Sequence, residues 1–479
     1  MARCLLLIAA LLVAKIVYAE DVARYTPEEL YQYQLVQADN GFRAILNHRG
    51  DSPNAAMRLI VNVGSADLPC DKRELPHLVE HLLFSGYGDF DEAGLDNFIQ
   101  SLGGSWNAFT YDDRTSYHLD IYSDNAFFGL VTWDGMLRDT VITQEELEHA
   151  REMVISESGG EPGFVEKALH RNAILEGGVS EAYRQFAPDS VAFCDTPPGA
   201  SHITLQDVTD FIETYYVPQN MVLIAVGQMD IEDFTENLLT FLGDLPSGDD
   251  PPATPVRNQV EFEKVDYETA TQPLFGKETY ISLEYGVPQF ASSDRAALIL
   301  IKQYLDIIMY ERLRLEESLS YDPGATFRNY YDFSTLELSA NVFTGNENQA
   351  LDLMRELVRD VRENGLSEAV LKSNKKVRLY MLASAFEANG DFAYFYENYL
   401  PYFRVNNDFP SMDSYFSDVT SDDVRRVAEL YLSIERSMTY IARPALTPNT
   451  AAAVIVLILI GGVALVLIRR RSRTNHSTS

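Results

Sequence analysis

Midway along the chain, residues 246–255 read PSGDDPPATP: four prolines, two aspartates and a glycine in one short run. Proline fixes φ and has no N–H to donate, so neither a helix nor an interior strand can pass through it. The run also holds almost nothing apolar to bury. It is therefore a linker, and it divides the chain into two folding units. A chain of 479 residues exceeds what one compact core usually serves, which agrees with that division. The units are read as residues 20–245 and 257–446, joined by 246–256.

The two units echo each other. The first closes on ITLQDVTDFIETYYVPQNMVLIAVGQ (203–228) and the second on VTSDDVRRVAELYLSIERSMTYIARP (419–444). In each, a threonine (Thr204, Thr420) precedes an aspartate (Asp207, Asp423) by three residues, the signature of a helix N-terminus. An amphipathic helix, tyrosines and a strand then follow. Likewise VITQEELEHAREMVISE (141–157) parallels GLSEAVLKSNKKVRLYM (365–381). Alternating apolar and polar residues predict strands over 55–66, 115–123, 220–227, 279–287, 335–343 and 438–442. Helical spacing predicts helices over 91–102, 143–157, 204–215, 293–314 and 347–362. The fold class expected is α+β: two homologous domains, each a mostly antiparallel sheet with helices packed on one face.

Both termini resemble targeting segments. Residues 1–19 have an early Arg3, an apolar run and small Ala19 before Glu20 and Asp21, the pattern of a secretory signal peptide. Residues 451–468 are apolar without a charge, and Arg469, Arg470, Arg471 and Arg473 follow at once. At 1.5 Å per residue this run is about 27 Å long, enough to span a bilayer. A transmembrane helix at 451–468 with a cytoplasmic tail at 469–479 leaves the body outside, in a bacterial periplasm or at the cell exterior. With the signal removed, Cys70 and Cys194 remain, too few for a disulfide scaffold and without a C-x-x-C metal signature. A net charge of −33 argues against nucleic acid as a partner.

Only eight histidines occur in the chain, and two of them, His77 and His81, fall in ELPHLVEHLLFSG (74–86). On a helix they are i and i+4, and Glu80 stands beside the second, so all three reach one side. Two imidazoles at that spacing can hold one Zn²⁺ and leave room for a third ligand and a water. A neighbouring carboxylate can then accept a proton from that water. The order H-x-x-E-H is the reverse of H-E-x-x-H and is the inverzincin pattern.

Around this motif the chain resembles the M16 metallopeptidases, the pitrilysin or insulysin family, over roughly residues 25–445. The resemblance implies one Zn²⁺ per chain, held by His77, His81 and Glu157, the last lying 76 positions after His81 in EHAREMVISE. Glu80 is then the general base. The family's additional glutamate, seven residues before the third ligand, is replaced here by Ala150. In GGSWNAFTYDDRTSY (103–117), Asn107 and Ala108 match the family's edge strand, which pairs with extended substrate. In RLRLEESLSYDPGA (312–325), Arg314 and Tyr321 match its seven-apart pair, which implies backbone holding and oxyanion stabilisation. Taken alone, those two would be a helix-end cation and a packing aromatic.

The implied activity is a membrane-anchored zinc endopeptidase that cleaves peptides or unfolded segments in an enclosed chamber. Two domains make half of that chamber, so the resemblance also implies a homodimer, or a heterodimer with another M16-like chain. The rival expectation is a non-catalytic peptide-binding or assembly subunit, towards which Ala150 leans.

Overall fold

The computed structural model describes residues 26–50, 52–157, 160, 187, 194, 199–252, 264–270, 275–287, 294–331, 333–448, 450–453 and 455–460. The expected signal peptide (1–19), the end of the linker (253–256), the last part of the apolar run (461–468) and the tail (469–479) lie outside these residues. The described part of that run, within 451–460, is helical, and the side chains of 455–460 are exposed. Among the described residues no helix is long and apolar enough to cross a membrane.

The N-terminal half runs β1 (Tyr33–Gln37), β2 (Arg43–His48), β3 (Asn54–Val61), α1 (Leu75–Phe84), β4 (Gly86–Tyr87), β5 (Phe90–Asp91), α2 (Glu92–Ser101), β6 (Ser105–Thr110), β7 (Thr115–Tyr122), α3 (Ala126–Asp139), α4 (Gln144–Glu157), α5 (Leu205–Tyr215), β8 (Met221–Gly227) and α6 (Ile231–Phe241). The C-terminal half runs β9 (Val265–Ala270), β10 (Glu278–Val287), α7 (Arg295–Met309), β11 (Gly324–Asn329), β12 (Ser334–Phe343), α8 (Glu347–Asn364), α9 (Glu368–Ala385), α10 (Asn389–Asn406), α11 (Met412–Ser417), α12 (Ser421–Tyr431) and β13 (Ser437–Arg443).

The internal echo is structural. The first sheet has the order β1-β2-β8-β3-β7-β6 and the second β9-β13-β10-β12-β11. Leaving aside the extra edge strand β1, the two have the same topology. The single parallel contact of each sheet, β2 with β8 and β9 with β13, falls at the same place, and the remaining pairs are antiparallel. The helix starts repeat too. Thr204 and Asp207 cap α5, and Thr420 and Asp423 cap α12, each by reciprocal side-chain and backbone hydrogen bonds.

Two expected boundaries differ, each for a local reason. The strand expected over 55–66 stops at Val61, because the chain turns at Gly64, where a Cβ would lie 2.2 Å from the Tyr111 carbonyl oxygen. The helix expected over 293–314 is α-helical only to Met309 and continues as a wider π-type turn over Tyr310–Glu316.

Helices on one face proves too simple for the first sheet. One face packs on α1, α3, α4 and α5 through Leu59, Leu119 and Leu223 against Leu78, Leu82, Leu130 and Phe211. The other face, with Ala56, Ile60, Val222, Ile224 and Val226, belongs to the core of the second half, together with Phe392, Tyr396 and Leu400 of α10. This double burial is why β8, Met-Val-Leu-Ile-Ala-Val-Gly, is buried at every position and does not alternate.

Polar contacts fix α10 in that position. Asn47 Nδ2 donates to the Tyr396 hydroxyl at 2.8 Å, and that hydroxyl bonds the Leu30 carbonyl. Arg49 donates to the Glu387 carbonyl at 3.0 Å. Glu397, buried on α10, accepts from Arg114 Nε at 3.0 Å and lies 3.4 Å from His118 Nε2. Burial alone would raise the Glu397 carboxyl, but His118 and Arg114 outweigh it and hold the group below its ordinary range. On the other side of the N-terminal half, a disulfide joins Cys70 to Cys194. The turn around it is tied to α5 by Lys72 Nζ, 2.7 Å from Asp207 Oδ2.

Replacing Glu397 by Gln keeps the shape and removes the charge facing Arg114. The substitution is expected to lower the unfolding free energy at neutral pH by about 1–3 kcal/mol. A depressed folded-state pKa contributes stability above the ordinary carboxyl value of 4.5, and that contribution fades as pH falls through the folded value. The gap between variant and wild type should therefore close on acidification below pH 4.5, as measured by urea unfolding at a series of pH values.

Candidate metal and peptide site

The motif helix α1 is short and two-sided. Pro76 lies in its first turn, where a missing N–H costs no hydrogen bond. Leu75, Leu78, Val79, Leu82 and Leu83 face the core, which turns His77 and His81 to the opposite, half-exposed side. The helix ends where Gly86, at φ +122°, enters the β4–β5 hairpin; a Cβ there would lie 2.2 Å from the Phe90 carbonyl oxygen.

α1 lies against α4, α5 and β6, and this packing gathers the candidate residues. Glu157, the last residue of α4, reaches across so that its Oε2 is 3.2 Å from His77 Nε2 and 3.6 Å from His81 Nε2. The two Nε2 atoms are 3.3 Å apart. Zinc–ligand bonds of about 2.0–2.1 Å imply a tetrahedral edge of about 3.3–3.4 Å, so these three atoms are spaced as one face of a zinc tetrahedron. They form the group of three potential metal ligands found among the described residues. The donor set, two imidazoles and a carboxylate, is also one that zinc takes.

Glu80, on the same helix, is buried yet borders the same cavity as the two histidines. Its Oε2 accepts a hydrogen bond from Thr110 Oγ1 at 2.6 Å. Burial raises its carboxyl above the ordinary value, and the Thr110 hydroxyl and the two histidines counter part of that rise. At the entrance of α1, Glu74 Oε2 lies 3.4 Å from His77 Nδ1. This contact is the largest of the influences that raise the His77 imidazole.

Asn107 and Ala108 lie on β6, which pairs with β7 on one side and forms the outer edge of the sheet. The Asn107 side chain turns back to accept from the Ala108 N–H at 2.9 Å. His77, Glu80, His81, Glu157, Asn107 and Ala108 all border one cavity of about 560 Å³, together with Arg73, Glu74, Phe84 and Thr110. An open edge strand beside a candidate metal face suits an extended peptide added as a further strand.

The structure does not bring Arg314 and Tyr321 to that cavity. Arg314 sits in the π-type turn after α7, stacked at 4.1 Å over the Tyr321 ring and at 4.9 Å over Tyr310. Tyr321 is 78% exposed. Ala150, two turns before Glu157, is buried and presents no polar atom to the ligands. Sequence reasoning missed Thr110 and Glu74. Glu74 was legible, three residues before His77 on a predicted helix. Thr110 was not, because its partner is brought near only by the packing of β6 under α1.

Two family models match the chain: insulinase (peptidase family M16) over residues 43–184, and the peptidase M16 inactive domain over residues 202–377. The zinc protease PqqE of Helicobacter pylori is 22% identical over 408 residues, spanning 81% of this chain and 87% of that protein. Mouse insulin-degrading enzyme is 22% identical over 243 residues, 48% of this chain and 23% of that one. The coenzyme PQQ synthesis protein F of Klebsiella pneumoniae is 27% identical over 257 residues, 53% of this chain and 33% of that one. The chain thus spans less than half the length of those two longer relatives. Among solved structures, a protease from H. pylori superposes with TM-score 0.72 at 18% identity, over 86% of this chain and all of that one. The periplasmic protease PqqL of Escherichia coli gives 0.70 at 14% identity, over 91% of this chain and 50% of that one. At such identity the superpositions speak for the fold.

Replacing Thr110 by Val leaves the buried Glu80 carboxylate without its hydroxyl donor. Urea unfolding of the metal-free protein is expected to show a loss of about 1–3 kcal/mol, with Thr110→Ser close to wild type.

Proposed function

The chain belongs to peptidase family M16, and from that premise we propose that it is a zinc-dependent endopeptidase acting on peptides or unfolded segments. The observation that carries the reading is the spacing of His77 Nε2, His81 Nε2 and Glu157 Oε2, all within 4.8 Å of one another beside the buried Glu80. Those three residues would hold the ion, which when bound supplies Lewis acidity towards water and the substrate carbonyl.

The rest falls to the chain's own groups. Strand β6 aligns an extended substrate by backbone pairing, with Asn107 and Ala108 at the point of contact. Glu80 accepts one proton as a water oxygen bonds to the carbonyl carbon. It returns that proton to the departing amine nitrogen as the C–N bond breaks. Thr110 holds Glu80 in place for both transfers. Arg314 and Tyr321 stand apart from this cavity, so their proposed roles in backbone holding and oxyanion stabilisation require a second chain. In that arrangement Arg314 and Tyr321 of one subunit serve the site of the other, in a homodimer or a heterodimer with another M16-like chain.

The proposed setting is outside the cytoplasm, with the body anchored by 451–468. The Cys70–Cys194 disulfide supports an oxidising compartment. A second reading, a non-catalytic binding subunit, draws on two observations: Ala150 behind Glu157, and Arg314 and Tyr321 away from the cavity.

The deciding test compares wild type with Glu80→Gln for zinc content and cleavage of a mixed peptide library. The expected result is one zinc per chain in both proteins, with turnover in the variant reduced by about 10²–10⁴-fold. Wild-type protein without stoichiometric zinc would support the non-catalytic reading. Full activity in the zinc-loaded variant would remove Glu80 as the base.

A further inference from the structure

We infer that Glu74 is the positioning carboxylate for His77: it accepts the Nδ1 proton and thereby presents Nε2 to the metal. This rests on the zinc reading above and adds to it a residue beyond the three candidate ligands and Glu80.

An imidazole can give a lone pair to a cation from one nitrogen only if its proton sits on the other. The faces of His77 are already divided in that sense. Its Nε2 looks towards His81 Nε2 at 3.3 Å and Glu157 Oε2 at 3.2 Å, which leaves Nδ1 for an orienting partner. That partner is Glu74 Oε2, at 3.4 Å. A neutral His77 with its proton on Nδ1 donates to Glu74 and has Nε2 free. The opposite tautomer would set a lone pair against a carboxylate and a proton against the other donors.

Glu74 is placed for this by the local chain. Its carbonyl accepts the first hydrogen bond of α1, from Leu78 N–H at 2.9 Å, so its backbone is part of the helix it precedes. The three-residue spacing then brings its side chain over His77. Pro76, between the two, holds the first turn in helical geometry. Ligating histidines are generally supported by a carboxylate or carbonyl on the second nitrogen. Here the long-range glutamate of the family is Ala150, buried and without a polar atom, so the support comes from the motif's own helix. A plain alternative is that Glu74 only complements the helix N-terminus, where acidic residues are favourable. The two roles differ in what they predict.

The experiment measures zinc affinity of the purified protein by competition with a chromogenic chelator, for wild type, Glu74→Ala and Glu74→Gln, alongside thermal melts of the metal-free forms. The expected result is a 10- to 100-fold weaker affinity for Glu74→Ala, with Glu74→Gln between it and wild type because the amide oxygen still accepts the proton. Equal zinc affinity in all three, with or without a lower melting temperature for Glu74→Ala, would overturn the positioning role and leave the zinc site standing. Failure of wild type to bind zinc would remove the metal reading itself, and this role with it.

Discussion

A sheet buried on both faces can meet a ligand only at its edges, and the N-terminal sheet is built this way. Its own helices cover one side through Leu59, Leu119 and Leu223, and α10 of the second half covers the other over Ile60, Ile224 and Val226. With both faces committed, what remain are the two edges, β1 and β6, and β6 is the edge that the motif helix packs against. The motif helix α1 passes over that edge, so the imidazoles, the carboxylate at the end of α4 and the free strand converge there. The arrangement follows from the burial of the sheet.

The same topology occurs twice, but only one copy carries the candidate ligands His77, His81 and Glu157. The connection from β3 to β6, which opens with α1 and continues through the β4–β5 hairpin and α2, corresponds in the second sheet to α7 and the π-type turn after it, between β10 and β11. That turn carries Arg314 in place of a histidine pair. A π-type turn widens the helix and re-aims side chains, and such turns recur at functional positions. The two copies therefore differ at this position: a candidate metal face in one and an Arg–Tyr stack in the other.

Local signals carried much of this in the sequence. The Thr-x-x-Asp helix starts and the strand and helix periodicities needed only neighbouring residues, and the elements they predict lie within a few residues of the observed ones. H-x-x-E-H likewise needs only helical spacing. Contacts that close over long separations were opaque. Residue Glu157 entered through family resemblance, since nothing in EHAREMVISE distinguishes it from Glu148 or Glu152. The hydrogen bond from Thr110 to Glu80 depends on a strand sliding beneath a helix, and the grip of α10 on the first sheet depends on Asn47, Arg49 and Arg114 finding partners more than 280 residues away. Alternation is expected over residues 220–227 as over the other strands, whereas β8 is an apolar run buried at every position.

The Cys70–Cys194 bridge closes a loop that contains His77, Glu80, His81, Glu157 and the edge strand β6, across a separation of 124 residues. In the chain-entropy account a loop of this size restricts the unfolded chain by about 4–5 kcal/mol. Such a bridge stabilises by narrowing the denatured ensemble, while α1, α4 and β6 hold the site by their own packing once folded. The redox state of the surroundings would then govern how long the molecule survives more than how its reactive face is arranged.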